Sequence, residues 1–238
     1  MAEWRAEAER WWAGVLRLPP GALRSGGAFA AGHLDHVGVV LAAGAAGPLA
    51  YGPPHLVPVL GAALAAAGED RLLSGGYWAG ALGSGARVLG PAWYGYASEA
   101  TLTRAAAPAV RPLTQADLPL LARLHEQTRP AEVAESGTTG LPAFGYFRGG
   151  DLLAVACLGS WQQMPSIGVL THPQARGEGL GARVVAAAAA AGLSRRAVVQ
   201  YRAWHANTAS LSVAARAGFR HYCDALVIDL AGARTNRF

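Results

Sequence analysis

Lysine is absent from this chain of 238 residues, so all twenty basic side chains are arginine; against fifteen acids they leave a formal net charge of +5 at pH 7. Charge of either sign is scarce at 15%, while hydrophobic residues reach 52%. That balance excludes a disordered chain and predicts a sizeable buried core. The positive excess favours anionic ligands in general. No dense basic run is present to form a nucleic-acid footprint, the tightest cluster being Arg195 and Arg196 followed by Arg202, so no nucleic-acid partner is expected. Cysteine is nearly missing as well. Cys157 and Cys223 lie far apart in apolar stretches without C-x-x-C spacing, which predicts buried free thiols. Long apolar runs are also lacking: 37–49 and 55–67 are broken by Gly and Pro, short of the roughly 20 residues that cross a bilayer. Acids and tryptophans in MAEWRAEAERWW replace the basic and apolar regions of a signal peptide, so a cytoplasmic location and no membrane partner are expected. The seven histidines lack metal-ligand spacing and no serine sits in a G-x-S-x-G elbow, which argues against a metal site and a serine hydrolase.

The length suits two domains, and the composition shifts at 104–110 before a restart at Arg111-Pro112-Leu113-Thr114. The division expected is an N-terminal α+β domain over 1–105 with no readable job and a second domain over 110–230. In the first, Trp4, Trp11 and Val15 predict a helix over 3–16, and Gly44-Ala45-Ala46-Gly47 predicts a hairpin joining strands 37–42 and 48–51. A second helix is expected over 56–67. Gly75, Gly76, Gly80, Gly83 and Gly85 read as loop, followed by a strand or turn over 88–93. The tryptophans and Arg24 are read as packing rather than as a cleft.

The signals sharpen after the boundary. Thr114 as N-cap, Asp117 in the first turn and Leu118, Leu120, Leu121 and Leu124 as apolar stripe predict a helix ended by Pro130. A loop with Glu132 and Glu135 follows, then a hairpin over 143–160 turning at Gly149-Gly150-Asp151, a strand over 166–171, a helix over 180–191 stopped by Gly192, a strand over 197–204, a helix over 207–217 and closing strands over 219–230. The order predicts an α/β layer on a mixed, mostly antiparallel sheet flanked by helices.

Between the strand and the helix lies Arg176-Gly177-Glu178-Gly179-Leu180-Gly181-Ala182. Glycines let backbone approach a ligand, and the N–H groups of a helix's first turn bind phosphate oxygens. Gly177, Gly179 and Ala182 also fit the dinucleotide pattern G-x-G-x-x-G/A, but the following strand, 197–204, carries no acid for a ribose. Arg202 would then have to take a 2′-phosphate, and too little chain follows for a doubly wound sheet.

The stretch Val169 to Gly181 resembles motif A of the GCN5-related N-acetyltransferases (GNAT), whose Q/R-x-x-G-x-G/A falls on Arg176, Gly179 and Gly181. Asn207-Thr208-Ala209-Ser210 followed by Ala217-Gly218-Phe219 resembles motif B. The resemblance covers about 110–230 and implies the GNAT fold; tandem arrangements in that superfamily make a degenerate copy over 1–105 conceivable by analogy alone. It implies an acetyl-CoA-dependent acetyl transfer to a primary amine of a small molecule or peptide, without metal. Val169, Leu170 and Thr171 would bond the pantetheine arm through their backbone. Arg176, Gly177, Glu178, Gly179, Leu180, Gly181 and Ala182 would hold the pyrophosphate, and Asn207 and Ser210 would lie beside the thioester. The resemblance leaves two gaps. The strand over 166–171 carries no acid, so Glu132 and Glu135 become the candidate bases, and Ala214 stands where relatives carry a proton-donating tyrosine, so Tyr222 becomes the candidate acid. The alternative is a non-catalytic acyl-CoA-binding or regulatory module of the same fold. Monomer and homodimer are both compatible with the sequence.

Overall fold

A computed structural model describes residues 2–31, 36–83, 86–103 and 109–229. Along the chain run α1 (Glu3–Leu16), α2 (Ala22–Ser25), β1 (Gly27–Ala30), β2 (His36–Ala42), β3 (Leu49–Gly52), α3 (Val57–Ala66), α4 (Gly75–Leu82) and β4 (Arg87–Ala97). These are followed by β5 (Val110–Pro112), α5 (Leu118–Glu126), α6 (Pro130–Ser136), β6 (Ala143–Arg148), β7 (Asp151–Trp161) and β8 (Met164–Thr171). The chain continues through α7 (Leu180–Leu193), β9 (Val199–Trp204), α8 (Thr208–Ala217) and β10 (Arg220–Asp229). Two compact units divide it: 1–94 with 203–207 and 221–238, and 95–202 with 208–220. These units interleave in sequence, whereas the expected boundary is a single point. Residues 104–108, where that point falls, and Leu230 and Gly85 lie outside the described residues.

In the first unit the strands lie in the order β1-β3-β2-β10-β4. The hairpin read at 44–47 is present, with β2 antiparallel to β3 through Gly38↔Tyr51 and Val40↔Leu49. β10 covers the other edge of β2 over seven positions, from Cys223↔Ala42 to Asp229↔His36. Val37, Val39, Leu60, Trp78, Leu226 and Ile228 form a common core. α1 has the expected span, but the face it buries is Ala8, Trp11, Trp12 and Leu16, with Trp4 and Val15 only partly covered. The glycine-rich stretch read as loop is instead the helix α4. Ser74 caps it by accepting from the Tyr77 N–H, the Tyr77 hydroxyl donates to the Ala63 carbonyl at 2.6 Å, and the buried Trp78 indole donates to the Leu72 carbonyl at 2.9 Å. Burying Trp78 and satisfying its N–H outweighs the ~1 kcal/mol each glycine costs in a helix.

The second unit carries the strands β9-β8-β7-β6-β5. Neighbours are antiparallel except β8 and β9, which run parallel. This is the mixed, mostly antiparallel sheet flanked by helices that the sequence predicts. One face packs Leu113, Leu121, Leu124, Leu152, Val155 and Leu170 beneath α5. The other is covered by α7 through residues including Leu180, Val184, Val185 and Ala188. Thr114 and Asp117 form a capping box, but its first turn is a tighter 3-10 turn leading into α5. Arg111 clamps the Asp117 carboxylate at 2.7 and 2.8 Å and holds it well below the usual range. Two helix boundaries differ from expectation. Pro130 opens α6 rather than a loop, as proline at the first helical position loses no hydrogen bond. Gly192 does not stop α7 but lies buried in its last turn, where a Cβ would meet Val199 at 2.7 Å. Cys157 and Cys223 are buried free thiols, as expected.

Candidate functional site

The site is built where β8 parts from β9. Their parallel pairing is confined to Ser166↔Gln200 and Ile167↔Tyr201, whereas on its other edge β8 stays paired with β7 as far as Thr171↔Ala154. The backbone from Gly168 to Thr171 is therefore bonded on one side and open on the other. Val169 and Thr171 are half-buried and Leu170 is in the core. An extended chain with its own amide groups can pair with such an edge.

Beyond Thr171, His172 caps a 3-10 turn by accepting from the Gln174 N–H at 3.2 Å. Gly177 and Gly179 follow in left-handed conformations, φ +85° and +78°, and a Cβ at either would meet nothing within 4 Å. Glycine is required there by the backbone turn, and the space beside the turn is open. Gly179 then starts α7 with no side chain bonded to the first-turn N–H groups. These groups and the helix dipole favour an anion. Gly181 faces inward: a Cβ there would meet Thr171 Oγ1 and Val213 Cγ2, both at 3.2 Å, so the end of β8 and α8 close around the first turn of α7.

Both charged side chains of the loop are held in ion pairs. Arg176 donates from Nη1 and Nη2 to the two Glu132 oxygens at 3.3 and 3.0 Å, and from Nε to the Thr171 carbonyl at 3.4 Å. Glu132 also accepts from Arg129. Glu178 accepts from Arg148 at the end of β6. Arg148 and Arg183 each lie 5.8 Å from the Tyr146 ring centre. Between α5, the β6–β7 turn and this loop runs a cleft of about 320 Å³, lined by Arg123, Gln127, Arg148, His172, Gln174 and Glu178 among others.

The residues named from the sequence fall into three groups. Val169, Leu170, Thr171 and Arg176 to Ala182 follow one another from the end of β8 to the first turn of α7 in the second unit, with Leu170, Leu180 and Gly181 buried. Ser210 belongs to the same unit: its hydroxyl is 2.8 Å from that of Tyr201, the residue of the last β8–β9 pair. Asn207 stands directly before α8, its N–H donating to the Trp204 carbonyl. The proton-transfer candidates fare differently. The guanidinium groups of Arg129 and Arg176 hold the Glu132 carboxyl down to about 2, which makes it a poor base. Glu135, also on α6, is exposed. Tyr222 is 2% exposed within the first unit, where burial raises its phenol far above the ordinary range. Sequence reading missed Arg148 and Tyr201. Arg148 reaches a partner 30 positions away, which no spacing rule reveals, and Tyr201 is marked in sequence only as one residue of a strand. Among the described residues no cluster of three or more His, Cys, Asp or Glu could hold a metal, and no helix is long and apolar enough to cross a membrane.

No family model matches the sequence, and no curated protein is significantly similar to it. Among solved structures it is similar to a GNAT-family protein from Novosphingobium aromaticivorans, at 21% identity and TM-score 0.49 over 63% of this chain and 69% of that one. A GNAT-family acetyltransferase from Colwellia psychrerythraea matches at 16% identity and TM-score 0.49, over 65% and 61% of the two chains. A GCN5-related N-acetyltransferase from Kribbella flavida matches at 16% and TM-score 0.47, over 63% and 61%. The chain thus spans about three fifths of the length of the last two.

Proposed function

We propose that the second unit is an acetyl-CoA-dependent N-acetyltransferase. The observation that carries this reading is a succession: a β8 end unpaired on its β9 side leads through Thr171 into a doubly glycine-turned loop and the first turn of α7, which no side chain caps. Those residues also carry the motif A resemblance. An amide-bearing pantetheine arm would pair with the backbone of Val169 to Thr171, and the pyrophosphate would accept from N–H groups of residues 177–182. The cleft beside Glu178 offers space for the nucleotide end.

In the reaction a neutral amine attacks the thioester carbonyl. A β8 backbone N–H facing the opening would stabilise the oxyanion, the attached nitrogen gives up a proton to solvent, the C–S bond breaks, and the thiolate leaves. The acceptor ammonium must first lose its proton. Glu135 is the remaining sequence-named carboxylate for that step, acting directly or through water; a solution base serves equally in a half-open site. With Ala214 in the core and Tyr222 buried, the thiolate departs unassisted, which its modest basicity allows.

Isothermal titration with acetyl-CoA tests the cofactor, and absence of heat at millimolar ligand overturns the proposal. Ala214, the paired Glu132 and the buried Tyr222 favour a second reading, a non-catalytic acyl-CoA-binding module. Release of free CoA thiol in the presence of a panel of amines separates the two: binding without turnover on any amine selects the module.

A further inference from the structure

Resting on that reading, we infer that Glu132 is an internal stand-in for the phosphate of the ligand: it occupies the Arg176 guanidinium until a diphosphate ester reaches the glycine loop and takes it over. Arg176 directly precedes the two left-handed glycines of the loop, and its guanidinium bonds to the Thr171 carbonyl at the end of β8. Its fork is spent on the two oxygens of Glu132 in a bidentate pair, and one guanidinium edge cannot grip a second oxyanion in the same way. The pair is nevertheless cheap to open. Arg129, directly before α6, also donates to Glu132, so the carboxylate keeps a cationic partner when Arg176 leaves. Arg176 retains its bond to the Thr171 carbonyl at the end of β8, which anchors the side chain next to the loop through the exchange.

The hand-over has a mechanical consequence. α6 is tied to the motif at two points. At its C-terminal end Gly168 must be glycine, because a Cβ would meet the Ser136 carbonyl oxygen at 2.1 Å and the Gly137 carbonyl carbon at 2.9 Å. Toward its N-terminal end the tie is Glu132 to Arg176. Loss of the second tie on ligand binding frees that end of α6 while the first holds, so α6 reports cofactor occupancy to its own surroundings. Glu132 is thereby a positioning residue and not the base.

The experiment is titration of CoA into the full chain, with three forms compared. Glu132→Gln removes the competing charge and should tighten CoA about two- to fivefold, the range of an exposed ion pair. Arg129→Ala leaves Glu132 dependent on Arg176 and should weaken CoA by a similar factor. Opposite signs from two neighbouring residues are not the mark of a merely structural role. Hydrogen exchange supplies the second readout: amides of 131–134 should exchange faster in wild type when CoA is added, and those of 136–137 should not. No CoA binding by wild type overturns both the cofactor reading and this inference. CoA binding that Glu132→Gln leaves unchanged or weakens, with exchange at 131–134 unaltered by ligand, overturns the hand-over alone.

Discussion

Gly179 is the residue at which backbone conformation and ligand binding meet. Its φ of +78° costs an L side chain ~1–2 kcal/mol, and the open space beside it is where the proposed pyrophosphate would lie. Gly179→Val should therefore cost about 1–2 kcal/mol of stability and weaken CoA at least tenfold while circular dichroism stays native. Unchanged CoA affinity would contradict the assigned loop. Glu132 permits a separate test by acid. Its carboxyl, held down to about 2 by Arg129 first and Arg176 second, lies below the ~4.3 of an unfolded glutamate. A depressed folded value means stability that is complete above about pH 4.3 and is lost as pH falls toward 2. The gap in Tm between wild type and Glu132→Gln should then be largest near neutrality and shrink across that window, as thermal melts would show. At this scale the sequence was informative about backbone and poor on charge. Gly177, Gly179 and Gly181 were legible because glycine spacing encodes a turn. The partners of Arg176 and Glu178 were not, because an ion pair across 44 or 30 positions leaves no local pattern.

Elements follow the same division between local and distant causes. α5 was readable from Thr114 and Asp117, and α7 from the spacing of Leu180, Val184, Ala188 and Ala191, of which all but Ala191 are buried. The β6–β7 hairpin was readable from its composition and the Gly149-Gly150-Asp151 turn. α4 was misread because five glycines outweigh any local helical signal; the helix exists through tertiary anchoring of Trp78, a fully buried ring whose N–H is bonded. Trp78→Ala should cost about 3–5 kcal/mol and melt α4 with it, measured as a fall in urea midpoint and in helical ellipticity. An effect below 1 kcal/mol would mean that the glycine-rich segment holds its helix without that anchor. α6 was misread for the opposite reason, since Pro130 was taken as a terminator when its position makes it an initiator. Thr114→Ala gives the milder comparison. Loss of one member of a capping box should cost about 0.5–2 kcal/mol, well under the tryptophan.

For the molecule as a whole, the sequence suggested cutting near residue 108, and the interleaved units show what such a cut would remove. β10, at the far end of the chain, covers one edge of β2 over seven paired positions and contributes Leu226 and Ile228 to the core of the first unit. A fragment of residues 1–105 would expose that edge as a row of unpaired N–H and C=O groups and leave the core without two of its buried side chains. Both defects promote association of the wrong kind. Residues 1–105 alone should therefore elute as aggregate or unfolded chain in size-exclusion chromatography, with weak circular dichroism. Supplying 203–229, by fusion to the fragment through a flexible linker, should restore strand signal and a cooperative melt. If 1–105 instead behaves as a folded monomer, β10 is dispensable to that core. A folded result would also let the N-terminal half be assayed for partners on its own, whereas the pairing of β2 with β10 requires any such assay to use the full chain.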